Sequence, residues 1–120
     1  QLVNNAFTAA SGSAIGNAVA YINKKYKEDI TLNQLCEISG YSHQHFCRLF
    51  KAQMGMRPME YIARRRIAQS KTLLADSELT ISQIGSDVGY PEPTYFGMVF
   101  RKYEGISPSE YRKRRNSLEI

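Results

Sequence analysis

A chain of 120 residues with 16 Lys plus Arg against 11 Asp plus Glu, a formal charge of +5, is one domain of ordinary size or two small linked modules. A charge this moderate admits an acidic partner without identifying one, and the 2 cysteines fit free thiols better than the dense disulfide framework of a small secreted fold. No run approaches the roughly 18 apolar residues of a membrane span and no signal peptide leads the chain, so a cytoplasmic protein without membrane contact is expected. Because it starts at Gln1, the chain reads as a fragment whose upstream region is out of view.

In chain order, residues 1–12 show no clear period and read as the end of an interdomain linker. From Ser13, the spacing of Ile15, Val19, Ile22 and Tyr26 lines one helical face and leaves Lys24, Lys25 and Lys27 outside. Thr31 is a good N-cap for a short helix with the stripe Leu32, Leu35 and Cys36, which Gly40 stops. Ser42 caps the next helix. Its core stripe is Phe46, Leu49, Phe50 and Gln53, while Gln44, Cys47, Arg48 and Lys51 lie roughly 200 degrees away at about 100 degrees per residue. One face anchors and the other is presented.

Gly55 closes that helix and Pro58 opens a longer one, with Met59, Ile62, Ala63, Ile67, Ser70 and Leu74 as its stripe. About 18 residues give roughly 27 Å of connector. Thr80 with Gln83 resembles a capping box, and Ile81, Ile84, Gly85 and Val88 supply the stripe of a helix ended by Gly89. Pro91 and Pro93 push the following helix start to Pro93 or Thr94. Its core face is Phe96, Val99, Phe100 and Tyr103, and its presented face is Thr94, Gly97, Met98 and Arg101. Ser107-Pro108-Ser109-Glu110 then opens a last short helix carrying Tyr111 and the basic run from Arg112 to Arg115.

Much of this is written twice. Thr31, Gln34, Gly40, Tyr41, Phe46, Phe50, Gly55, Pro58, Glu60 and Tyr61 recur about 50 residues later as Thr80, Gln83, Gly89, Tyr90, Phe96, Phe100, Gly105, Pro108, Glu110 and Tyr111. The second copy carries one extra residue between Tyr90 and Phe96, which places the difference in a turn. Strand patterns are absent, so the expected class is all-α, with about seven helices. The expected divisions are a linker remnant over 1–12, a first subdomain over 13–57, a connector helix over 58–76 and a second subdomain with a basic tail over 77–120.

A short helix, a glycine turn and a second helix with an apolar inner face and a polar outer face describe a helix-turn-helix, whose second helix can enter a DNA major groove. Two such units in one chain can reach two groove segments without a dimer. Successive grooves lie about 34–36 Å apart, so a 27 Å connector requires some adjustment, for which a bend in the DNA is one source. Arg66-Ile67, Ser70, Leu73-Leu74, the run Ile81 to Tyr90, Tyr95-Phe96, Phe100-Arg101-Lys102 and the run Gly105 to Arg112 together resemble the DNA-binding domain of the AraC/XylS family of bacterial transcription regulators. The resemblance covers about Ser13 to Arg115.

That resemblance implies seven helices, two helix-turn-helix subdomains joined by a long helix, and control of transcription at a promoter. It also implies a sensor or receiver domain outside this segment; a contact with RNA polymerase is a further expected partner. By position, the family's base-reading residues fall on His43, Gln44, Cys47 and Arg48 and on Pro93, Thr94, Gly97 and Met98. The family pattern often has an Arg or other polar reader where this chain has Gly97 and Met98, and an alanine where it has Ser70 and Gly85.

Arg48 suits bidentate donation to guanine O6 and N7, and Gln44 suits adenine; the plain alternative is a solvated helix face, and the doubled motif favours base contact. Ser42, Lys51, Arg101, Lys102 and Arg112 are candidates for phosphate contacts, which position without reading sequence. For Met98, contact with a thymine methyl and simple gap filling stay open. The expectation is that the first subdomain supplies most of the base discrimination and the second mainly anchors. Arg64, Arg65 and Arg66 cannot all face one way on a helix, so the block overstates a basic patch.

His43, His45 and Cys47 lack the spacing of a closed metal site, and no metal or other cofactor is expected. No glycine-rich phosphate loop or nucleophile beside a base suggests an enzyme. The competing reading is a helical protein-docking module within a larger regulator.

Overall fold

The computed structural model describes residues 9–118, with side chains over residues 14–117, and among them the chain forms seven helices and no strand. These are α1 (Ala9–Lys25), α2 (Leu32–Ser39), α3 (His43–Met54), α4 (Pro58–Asp76), α5 (Ile81–Asp87), α6 (Pro93–Glu104) and α7 (Pro108–Leu118). Of the linker expected over 1–12, residues 1–8 lie outside the described residues and 9–12 are already helical, so α1 begins before Ser13. The chain divides into two compact units between Ile62 and Ala63, inside α4. The start of that helix therefore belongs with the first unit and its remainder with the second.

In the first unit α1 packs on α2 and α3, and α2 packs on α3. Ile15, Ala18, Ile22, Leu35, Phe46 and Phe50 are fully buried, joined by Tyr26, Cys36 and Ile62. The ring centroids of Phe46 and Phe50 are 5.6 Å apart, and Tyr61 of α4 meets Phe50 edge-on at 5.8 Å. Two expected core positions are corrected. Gln53 is exposed, because the buried arc of α3 runs through Phe46, Phe50 and Met54 and leaves it to one side; Met59, 44% exposed, is likewise off the arc of Pro58, Tyr61 and Ile62. Cys36 and Cys47 are free thiols, and burial first, then the neighbouring Cys47, push the Cys36 thiol above its ordinary range.

The helix starts obey their sequence signals. Thr31 accepts from the Gln34 amide at 3.1 Å while the Gln34 side chain accepts from the Thr31 amide at 2.9 Å; Thr80 and Gln83 repeat the box at 3.1 and 2.8 Å. Each box satisfies two amides that the first turn leaves without helical partners. Between α2 and α3, Gly40 takes φ +79 and its amide donates to Cys36 O at 2.8 Å. That left-handed geometry favours glycine and makes a turn of three residues possible before α3.

In the second unit α5 packs on α6 and α6 on α7. Its core is Ile67, Leu74, Ile84, Val88, Tyr90, Phe96 and Phe100. Ser70 is wholly buried, with its hydroxyl donating to Ile67 O at 2.7 Å, so its polarity is satisfied locally. Gly85 matters more. A Cβ there would lie 2.8 Å from the Phe96 ring, so the absent side chain lets α5 and α6 approach. The first copy places Cys36 at the equivalent position.

The arginine block is divided as its helical spacing demands. Arg64 lies over the Tyr103 ring at 4.8 Å and Arg66 over the Tyr90 ring at 4.9 Å. Burial raises the Tyr90 hydroxyl above its ordinary pKa, although a hydrogen bond from Arg66 pulls the other way. An ion pair of 3.2 Å between Lys71 and Glu104 ties α4 to the end of α6.

Candidate nucleic-acid interface

The outward face of α3 follows from its inward one. With Phe46 and Phe50 at 0% exposure, the residues about half a turn away must face solvent, and Gln44, Arg48 and Lys51 are exposed. Ser42 fixes the start by accepting from the His45 amide at 3.3 Å. His43 is held to α2, its Nε2–H donating to Asn33 Oδ1 at 2.6 Å, so it links the two helices of the motif. Cys47 is half-buried and packs against the first-unit core, which leaves it the least accessible of the four expected readers.

Arg48 is oriented before any ligand arrives. Its Nη2 donates to His45 Nδ1 at 3.2 Å, and the His45 ring meets Tyr41 edge-on at 4.6 Å. One of the five guanidinium donors is thus engaged on its own helix, and the exposed remainder of the fork is available to a planar acceptor pair. The residue pair is spaced by three, a separation at which helical side chains meet, so His45 was legible as a partner of Arg48. Asn33 carried no such signal, because its contact crosses between elements.

The matching face of α6 has different chemistry. Glu92 caps the helix by accepting from the Tyr95 amide at 2.8 Å, and Pro93 occupies the first helical position. Pro93 and Thr94 are exposed, Met98 is 64% exposed, and half-buried Gly97 would place a Cβ in open space. Arg101 and Lys102 are exposed in the last turn, where positive charge complements the helix dipole. Tyr95, 54% exposed, stands beside this face, with its ring 5.6 Å from Tyr90; it belongs to neither the expected core face nor the expected presented face of α6.

The basic C-terminal run is smaller as an electrostatic surface than its composition suggests. Arg112 is half-buried, and its Nε and Nη2 donate to the carbonyls of Leu74 and Ser77 at 3.1 and 3.2 Å. It therefore caps the end of α4. Arg114 pairs with Glu110 at 3.0 Å, while Lys113 and Arg115 are exposed. Among the described residues, no group of three or more His, Cys, Asp or Glu gathers where it could hold a metal ion.

Residues 35–114 match the family model of a helix-turn-helix domain. An uncharacterized HTH-type transcriptional regulator, YisR of Bacillus subtilis, is 35% identical over 80% of this chain and 33% of its own length. The lactose operon transcription activator of Staphylococcus xylosus is 36% identical over 82% of this chain and 35% of its own length. A solved transcriptional regulator structure from Chromobacterium violaceum, described as having an AraC-type DNA-binding domain, superposes with a TM-score of 0.78 at 27% identity, covering 89% of this chain and 96% of that one. The chain spans about a third of the length of the curated relatives it matches.

Proposed function

The chain belongs to the AraC family of helix-turn-helix DNA-binding domains of transcription regulators, and from that premise we propose that it regulates a promoter by placing α3 and α6 in successive major grooves. The observation that carries the proposal is the exposure of Gln44, Arg48 and Lys51 on a helix whose opposite face is locked by Phe46 and Phe50. Arg48 donates to guanine, Gln44 pairs with adenine, and exposed His43 and half-buried Cys47 complete the reading set of α3. On α6, Pro93, Thr94, Gly97 and Met98 face the bases. Ser42, Lys51, Arg101 and Lys102 meet phosphates, while Arg112 holds α4 and α7 in place behind them.

Regulation then needs a signal, which in this reading comes from a sensor or receiver domain in the part of the protein beyond this chain, with RNA polymerase as a contact. Activity in the cytoplasm fits these partners, and no helix among the described residues is long and apolar enough to cross a membrane.

A salt series on a fluorescent duplex tests the DNA-binding step. Affinity is expected to fall linearly in log–log form with salt, and Lys51→Ala is expected to reduce the slope by about 1 while weakening all sequences alike. A slope unchanged by this substitution removes Lys51 from the phosphate contacts. Salt-independent binding, or none, favours the protein-docking alternative.

A further inference from the structure

We infer that Thr94, Tyr95 and Met98 of α6 form an apolar reading face for thymine methyl groups, so that the target site is chemically split between its halves. The inference rests on the DNA-binding reading above and gives the second helix a recognition role of its own. Tyr95 and Met98 are 54% and 64% exposed, above Ile38, Met59 and Leu79, which are scattered over other segments. On a helix, residues three and four apart are surface neighbours, so Met98 adjoins both Tyr95 and Thr94. These side chains make one patch.

Tyr95 touches Tyr90 along one edge, with ring centroids 5.6 Å apart, and more than half of it still faces outward. Gly97, between Tyr95 and Met98, is helical, yet a Cβ there would meet nothing within 4 Å. Packing does not call for a glycine at that position, and the missing side chain leaves the α6 backbone open to close approach by a ligand. The ligand's character follows from the neighbours. Arg101 and Lys102 are exposed about one turn further along α6, which suits a polyanion. In the DNA major groove the thymine 5-methyl is the apolar group that a base pair presents, and it is the feature that side chains with few donors can read. Tyr95 adds one hydroxyl to an otherwise apolar contact.

Replacing thymine by deoxyuridine removes the methyl and keeps every hydrogen-bonding group, so it isolates this contact. On a duplex selected by the protein from random sequence, single thymine-to-deoxyuridine replacements are expected to weaken binding about three- to fivefold at one or two positions, all within one half of the site. Met98→Ala is expected to cost a similar factor on the thymine duplex and to abolish the difference between thymine and deoxyuridine at its position. Arg48→Ala is expected to leave that difference intact. If a sequence-selective complex is indifferent to deoxyuridine everywhere, the methyl-reading face is wrong while DNA recognition stands. The same holds if Met98→Ala weakens both duplexes equally. If no sequence preference exists at all, both readings fall, and the patch on α6 is a protein-docking surface.

Discussion

Phe96→Ala is expected to cost about 3–5 kcal/mol of stability, because it empties the centre of the second core. Phe96 is at 0% exposure, lies 6.2 Å from the Tyr90 ring and 6.0 Å from the Phe100 ring, and sits against the bare Cα of Gly85. No neighbouring side chain can swing in to fill the space from the Gly85 side. The opposite error is Gly85→Ala. There the new methyl would lie 2.8 Å from a buried ring that is itself hemmed in, and overpacking of this kind costs about 1–3 kcal/mol. A helical alanine returns up to about 1 kcal/mol over glycine, so the net loss is smaller than for Phe96→Ala.

The two substitutions should also be strongly non-additive. Once Phe96 is gone, the clash is gone, and Gly85→Ala in the Phe96→Ala background is expected to stabilise by up to about 1 kcal/mol. Denaturant unfolding of the four proteins measures this coupling. Simple additivity would mean that α5 and α6 do not meet through this contact. The first copy solves the same packing with Cys36 in the place of Gly85, both cysteine and Phe46 lying in one core cluster.

Arg48→Ala should produce the largest change in recognition, a loss of about 1–3 kcal/mol on the specific site with relaxed preference at one guanine. That is roughly five- to 150-fold in affinity, against a much smaller change on unrelated duplexes. The reasoning is geometric. The fork is exposed, is held by His45 Nδ1 at 3.2 Å, and projects from a helix that two buried phenylalanines prevent from rolling. His45→Ala should reproduce part of this loss, since it frees the guanidinium without removing it. Met98→Ala, which deletes apolar contact alone, should cost less. Equal losses and equal relaxation for Arg48→Ala and Met98→Ala would contradict the asymmetry between the two helices.

Most of the fold was legible because the signals that start and stop helices are local. Thr31, Ser42, Thr80 and Ser107 announce caps whose hydrogen bonds lie within three residues. The phenylalanine pairs fix which face turns inward, and the doubled pattern fixes that it happens twice. What periodicity does not contain is where, around a helix, the buried arc is centred. Gln53 and Met59 fall to one side of it, since Met54, next to Gln53, packs on the core and Pro58, next to Met59, is buried.

The site was legible in the same uneven way. Gln44, Arg48 and Lys51 follow from direction around α3 and are exposed, whereas Cys47, expected on the same face, lies beside buried Phe46 and packs against the core. The bond of His43 to Asn33 and the capping of α4 by Arg112 join residues far apart in the sequence, so no window of the chain predicts them. Arg112 shows the physical reason. An arginine in a basic run resembles its neighbours in composition, and only the carbonyls within its reach decide whether it faces solvent or the end of another helix. Glu92 at the N-cap of α6 was equally hidden, since Pro91 and Pro93 marked the start of the helix without identifying its cap.

Selection of bound sites from random duplex DNA bears most directly on the central claim. The expected result is a bipartite motif whose halves are centred about one helical turn, 10–10.5 base pairs, apart. One half should centre on a guanine that loses its preference with Arg48→Ala, and the other should contain thymine. A single short motif with unspecified flanks would contradict two-helix reading. Duplex binding without any enriched sequence would contradict the claim that α3 reads bases.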